Sequence, residues 1–166
     1  METVDDIMSE NLNLQSVSEF MWREAEMLDN RNYSEWLDLW EEDGLYIVPI
    51  EREAEDYADV LNFAYDDANM RKMRVARLTS RFSMSATSSS ITVRTTSRFV
   101  LKEQNNNEIT IRAAQHLADY RRDKLQMIAA DVEAVLRQTD NGLKYVKKIV
   151  RLANSEDAIS GFAYLL

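Results

Sequence analysis

Apolar residues recur at helical spacing near the start of this chain and alternate with polar ones through most of its second half. Val17, Phe20, Met21, Met27 and Leu28 fall close to a 3.6-residue period, which predicts a helix with one stripe facing a core. Ser16-Val17-Ser18-Glu19 has the form of a capping box that would open it. Residues 1–14 are then expected as a flexible leader and 15–166 as a single domain. Asn32-Tyr33-Ser34-Glu35 reads as a second cap, opening a short helix with Trp36, Leu37 and Trp40 inward. Gly44 is expected to end the helical part before a strand, Leu45–Ile50, whose Pro49 belongs at an edge, end or bulge. Residues 51–65 read as acidic and irregular. Asp66 or Asp67 can cap a third helix carrying Met70, Met73, Arg74, Arg77 and Leu78, with Arg71 and Lys72 on its other faces. Residues 83–90, rich in Ser and Thr, read as a loop.

Alternation then takes over. Ile91–Glu103 places Ile91, Val93, Thr95, Ser97, Phe99 and Leu101 on one face. Asn105-Asn106-Asn107 is a turn cluster. Glu108–Arg122 alternates through Ile109, Ile111, Ala113 and Leu117, and Leu125–Gln138 through Ile128, Ala130, Val132, Ala134 and Leu136. Asp140-Asn141-Gly142 signals a tight turn into a last strand, Leu143–Ala153. Helices followed by a meander of long strands predict an α+β fold. Strands this long twist strongly, so the sheet is expected to curl around the helices as a cone with an open mouth.

Composition narrows the chemistry. The 166 residues include no Cys, one His (His116) and three Gly, at 44, 142 and 161. Thiolate metal sites and thiol catalysis are excluded, and so is a facial triad built within this chain, which needs two His. The glycines are too scattered for a dinucleotide or Walker loop. No stretch is long and apolar enough to span a bilayer. The acidic start is unlike a secretory leader, and the lack of Cys fits a cytoplasmic protein. Net charge is −9, which argues against nucleic acid as a partner. The charge is lopsided: residues 1–70 hold 20 acids and 3 bases, while residues 71–166 hold 9 acids and 17 bases. Mutual neutralisation of the halves within one fold is the favoured reading, ahead of two faces offered to partners.

Four segments carry a family resemblance. Residues 24–37, Glu-Ala-Glu-Met-Leu-Asp-Asn-Arg-Asn-Tyr-Ser-Glu-Trp-Leu, follow E-A-x-x-L-D-x-R-x-Y-x-E-W-L. Asp43–Pro49 follows D-x-x-Y-x-x-P, Tyr65-Asp66-Asp67 leads into Arg74-Val75-Ala76-Arg77-Leu78, and Val135–Gly142 is similar to V-L-R-R-T-D-x-G. In this order and spacing they resemble the small (β) subunit of Rieske-type aromatic-ring-hydroxylating dioxygenases, over about residues 20–166. The resemblance implies a cystatin-like cone of the nuclear-transport-factor-2 type. It also implies a structural, non-catalytic role beside an α subunit that carries a Rieske [2Fe–2S] cluster and a mononuclear iron. The implied assembly has three α and three β subunits, and no cofactor is expected in this chain. The chain departs from the family pattern at Ser83–Arg94 and at its apolar end, Ile159–Leu166.

A rival reading is a stand-alone dehydratase or isomerase of the same cone fold, since an Asp base with a Tyr donor can run proton-transfer chemistry in such a pocket. Its candidates are Asp29, Tyr33, Tyr46 and His116, with Glu24 and Asp131 behind them. The favoured structural reading has Glu24, Asp29 and Arg31 pairing across the helix hairpin while the tyrosines fill the cone. A lone His such as His116 is expected to be structural or solvent-facing. Candidates for contact with other subunits are Trp22, which is offset from the core stripe, and Arg74, Arg77, Arg94 and Arg98. The basic helix around Arg71, Lys72, Arg74, Arg77 and Arg81 would either dock on an acidic partner or pair with the 51–59 segment.

Overall fold

A computed structural model describes residues 12–84, 90–155 and 165–166 (of 81–84, the backbone only). In chain order the elements are α1 (Leu14–Asp29), α2 (Tyr33–Leu37), β1 (Trp40–Pro49), a 3₁₀ turn (Tyr57–Asp59), β2 (Asn62–Asp66) and α3 (Ala68–Met84). Four strands follow: β3 (Ile91–Gln104), β4 (Glu108–Arg121), β5 (Lys124–Thr139) and β6 (Gly142–Leu152). They form one six-stranded sheet in the order β2-β1-β6-β5-β4-β3. All neighbours are antiparallel except β1 and β6, which run parallel. The sheet curls over the helices without closing, as expected of an α+β cone. The expected loop at 83–90 is overtaken at its start by α3, and its residues 85–89, like leader residues 1–11, lie outside the described part.

The cap of α1 lies earlier than the sequence suggests. Asn13 Oδ1 accepts from the Ser16 N–H at 2.9 Å, and Ser16 Oγ accepts from the Asn13 N–H at 3.1 Å. The box is therefore Asn13/Ser16, and Leu12 already packs against the core. Val17, Phe20, Met21 and Leu28 are buried as the period required, with Met27 partly so. Asn32 makes no side-chain cap to α2. Trp40 is inward, as expected, but it opens β1 and is not helical.

Gly44 does not end a helix. It sits within β1, at the register shift where Trp40 pairs with Tyr145 and Leu45 already with Lys147. A Cβ there would lie 2.9 Å from the Tyr145 carbonyl oxygen and 3.0 Å from that of Glu41, so only glycine fits the crossing. Pro49 ends β1 at a second shift. β2 lies inside the stretch expected to be irregular. Asp67, not Asp66, caps α3, accepting from the Met70 N–H at 2.9 Å.

The alternation in β4 and β5 is reproduced: Ile109, Ile111, Ala113, Leu117, Val132, Ala134 and Leu136 are fully buried. In β3 the residues expected to share a face do so as far as Ser97, and that face is the outer one. Ile91, Val93, Thr95 and Ser97 point outward, while Arg94 and Thr96 face α1. α1 supplies partners on this side: Asp29 for the inward Arg94, and the Trp22 indole N–H, which donates to the main-chain carbonyl of Thr96 at 2.8 Å. A bulge after Ser97, with Arg98 at φ 56°, then shifts the parity. It brings Phe99 back toward α1, edge-on to Trp22.

Candidate functional site in the cone

The buried stripe of α1 carries one carboxylate inward, Glu24. Both of its oxygens receive Lys148 Nζ of β6 at 2.9 Å. Trp36 Nε1 of α2 donates at 2.9 Å and the Tyr145 hydroxyl at 2.5 Å. A carboxylate offers about four acceptor sites, so this one is saturated. The Glu24 and Lys148 side chains are 3% and 1% exposed. Burial lowers the Lys148 pKa, and the Glu24 charge offsets this only in part. Burial, and then the same charge, hold the Tyr145 hydroxyl well above its ordinary value. Such a group is built to hold three elements together, not to exchange a proton with a substrate.

A second cluster joins the end of α1 to β3. Asp29 accepts from the Arg94 N–H at 2.7 Å, from the Arg94 guanidinium and from the Thr92 hydroxyl at 2.9 Å. Arg94 also donates to the Leu165 carbonyl. The Tyr46 hydroxyl of β1 accepts from the Leu166 N–H at 3.0 Å, and its own pKa is pushed up by burial to about 12. Lys148 Nζ reaches the Leu166 carbonyl at 3.2 Å. Leu165 and Leu166 are themselves buried. At the end of β2, the buried Asp66 takes a two-pronged contact from Arg74, at 2.5 and 3.0 Å, which raises the Arg74 pKa.

Of the acid–base candidates, Asp29, Tyr33 and Tyr46 share the interior, but Asp29 and Tyr46 are held by the chain's own groups, and burial raises the Tyr33 pKa. His116 is not among them. It lies exposed on the outer face of β4, opposite Thr95 and Ala129. Asp131 is also outside, bridged by Arg52 and Arg98; the Arg98 hydrogen bond, helped by Arg52, lowers its pKa. The pairing expected across the helix hairpin is corrected in detail: Glu24 pairs with Lys148, Asp29 with Arg94, and Arg31 donates to the Ser90 carbonyl.

Among the contact candidates, Arg94 is buried and serves the interior, and Arg74 is committed to Asp66. Arg77 and Arg98 are exposed, and Trp22 is 51% exposed despite its tether. Arg71 has neither role expected of the basic helix. It is buried over the Trp40 ring, 4.4 Å from the centroid, and donates to the carbonyls of Gly44, Asp66 (3.2 Å) and Glu41 (3.2 Å). Arg71 thus pins the β1 bulge and makes no pairing with the 51–59 segment. That segment attaches instead through Arg52, to Asp131 and to the carbonyls of Arg151 and Leu152. Part of the lopsided charge is paired between the two halves, through Glu24–Lys148, Asp29–Arg94, Asp66–Arg74 and Glu41–Arg137.

Residues 23–156 match the family model described as ring hydroxylating beta subunit. The chain belongs to this family of β subunits. It is 27% identical over 140 residues to the 2-halobenzoate 1,2-dioxygenase small subunit of Burkholderia cepacia, covering 81% of this chain and 85% of the relative. The β subunit of benzoate 1,2-dioxygenase from Burkholderia mallei superposes with a TM-score of 0.81 at 18% identity, over 94% of this chain and 99% of that one. An NTF2-like protein with a cystatin-like fold from Novosphingobium aromaticivorans superposes at 0.63 and 16% identity, over 93% and 92% of the two chains. This β subunit is thus an NTF2-like cone, and its function is that of a non-catalytic small subunit of an aromatic-ring-hydroxylating dioxygenase. Among the described residues, no helix is long and apolar enough to cross a membrane.

Proposed function

We propose that this β subunit organises catalytic α subunits by self-associating as a trimer, in an assembly of three α and three β chains. In this reading the Rieske cluster and the mononuclear iron reside in the α subunit, and this chain holds neither. The assembly works in the cytoplasm and adds dioxygen to an aromatic ring. The observation that carries the reading is the contrast between the two faces of the sheet. Inside, Glu24 is committed to Lys148 and Asp29 to Arg94. Outside, Ile91, Tyr120 and Leu125 stand in one cross-strand row and Val93, Ala118 and Met127 in the next. Leu125 is 69% and Met127 58% exposed. Apolar rows open to water are what an interface needs and what a lone soluble domain avoids.

The test is co-expression with a dioxygenase α subunit, followed by measurement of complex mass and iron content. A complex with iron only in the α chain, lost when Leu125 and Met127 are both changed to Glu, is expected. Stoichiometric iron in the purified β chain, or an unchanged complex in the double variant, would overturn it. Substituted benzoates are the first substrates to try, given the 2-halobenzoate relative.

A further inference from the structure

Part of the charge imbalance between the two halves of the chain finds no partner within one protomer. α3 buries Arg71, Val75 and Leu78. Met70, Met73 and Arg77 form a stripe turned away from that side and open to water, with Met73 51% exposed. A surface helix ordinarily keeps its apolar residues for the side that packs, and methionine suits a surface that must adapt to a partner. Lys72 and Arg77 meet no acid among the described residues, whereas Arg71 and Arg74 of the same helix are committed inward.

The opposite charge stands on the connection from β1 to β2. This connection is fixed from within. Arg52 reaches Asp131 and the carbonyls of Arg151 and Leu152, Arg151 donates to the Tyr57 hydroxyl at 2.6 Å, and the Asn62 amide donates to the Tyr57 and Val60 carbonyls at 2.7 and 3.0 Å. Those anchors leave Glu51, Glu53, Glu55 and Asp59 exposed and unpaired, beside a Leu61 that is 81% exposed. Each face therefore has what the other lacks: apolar side chains with cations on α3, and an apolar side chain with carboxylates on the connection. The sequence allows these two segments to pair within one chain, and the fold does not pair them.

We infer that the pairing is made between copies: the Met70, Met73 and Arg77 face of α3 in one protomer docks on residues 51–61 of the next. This inference rests on the trimeric reading above. A contact between two different patches is heterologous and can close into a ring of three. It uses neither Leu125 nor Met127, so its test reports on a different surface.

The test is sedimentation velocity of the full-length chain over a concentration series at low salt. Lys72→Glu with Arg77→Glu, and separately Glu53→Lys with Glu55→Lys, should each raise the concentration at which trimers dissociate by at least about tenfold. The melting temperature of the protomer should not change, since all four positions are exposed. The variant carrying all four reversals should return to within about threefold of wild type. A trimer indifferent to either pair of reversals, or a fourfold variant no better than its parents, would overturn this contact and leave the trimer standing. A wild-type chain that stays monomeric throughout would instead overturn the trimeric reading, and this contact with it. The absence of Cys permits a second readout. Met73→Cys and Leu61→Cys chains, co-expressed and treated with a short bis-maleimide, should give linked pairs that neither chain gives alone; no linkage, or equal linkage in either chain alone, would refute the contact.

Discussion

The Glu24–Lys148 pair can be separated from its surroundings by a double-mutant cycle. Lys148→Met removes the ammonium and leaves a buried carboxylate with only the Trp36 and Tyr145 donors. Glu24→Gln keeps the shape but leaves a buried ammonium facing a neutral amide and the Leu166 carbonyl. Breaking a buried pair from one side costs about 3–5 kcal/mol, so each single variant should lose that much. The double variant removes both charges of the pair. Its loss should be confined to one or two poorer hydrogen bonds, about 2–3 kcal/mol. The coupling is then at least about 3 kcal/mol in favour of the pair. Urea unfolding followed by tryptophan fluorescence reads it, because Trp36 donates directly to Glu24. For a chain of this size each single variant should also melt about 6–20 °C lower. Losses that add to within about 0.5 kcal/mol would refute the argument, since they would mean that Glu24 and Lys148 do not sense each other's charge.

Gly44→Ala should destabilise by about 1–3 kcal/mol, seen as a lower urea midpoint with unchanged slope. Two of the three atoms that its Cβ would meet are backbone oxygens that cannot swing away. Arg71→Met should cost at least about 3 kcal/mol, because three carbonyls in and beside the β1 bulge lose their donor; Arg71→Lys should recover only part of it. Tyr46 gives a pH signature. Burial pushes its pKa up to about 12 from the ordinary tyrosine value of 10.0, so the folded state keeps a proton that the unfolded state releases. The resulting stability is complete below pH 10 and is lost as pH rises from 10 through 12, about 1.4 kcal/mol of it by pH 11. The wild-type chain should therefore lose that much more than Tyr46→Phe between pH 9 and pH 11 in matched urea titrations. Equal slopes would remove the account of Tyr46 as a buried, neutral hydroxyl.

The inner faces of β4 and β5 were legible because apolar residues recur at alternate positions along both, even though Gln115 and Asp119 take inner positions in β4. Which way the shared face of β3 turns was not legible, for a physical reason. Its apolar residues at 91 and 93 face outward, while its inward Arg94 is made acceptable by Asp29 and its main chain at Thr96 is tethered by Trp22, both more than sixty positions away. Local alternation carries no trace of such partners. β2 was missed because five residues with a buried Asp66 resemble a polar connector until Arg74 is placed beside them. Arg71 was assigned to another face of α3 because a cation whose partners are main-chain carbonyls leaves no charge complement in the sequence. The motif around Glu24, Asp29, Tyr33 and Trp36 identified the family, but which basic residue each acid meets appears only when β3 and β6 are folded over α1.

The parallel join between β1 and β6 constrains how the chain is made. Leu45 pairs with Lys147, and the Tyr145 amide donates to the Leu39 carbonyl at 2.8 Å. On the ribosome, β1 therefore emerges long before the strand that completes it. Until then only the five-residue β2 can shelter one of its flanks. Contacts of such long range slow folding, and waiting strand flanks invite mispairing. The interval between synthesis of β1 and release of β6 is the period in which this subunit most needs a chaperone.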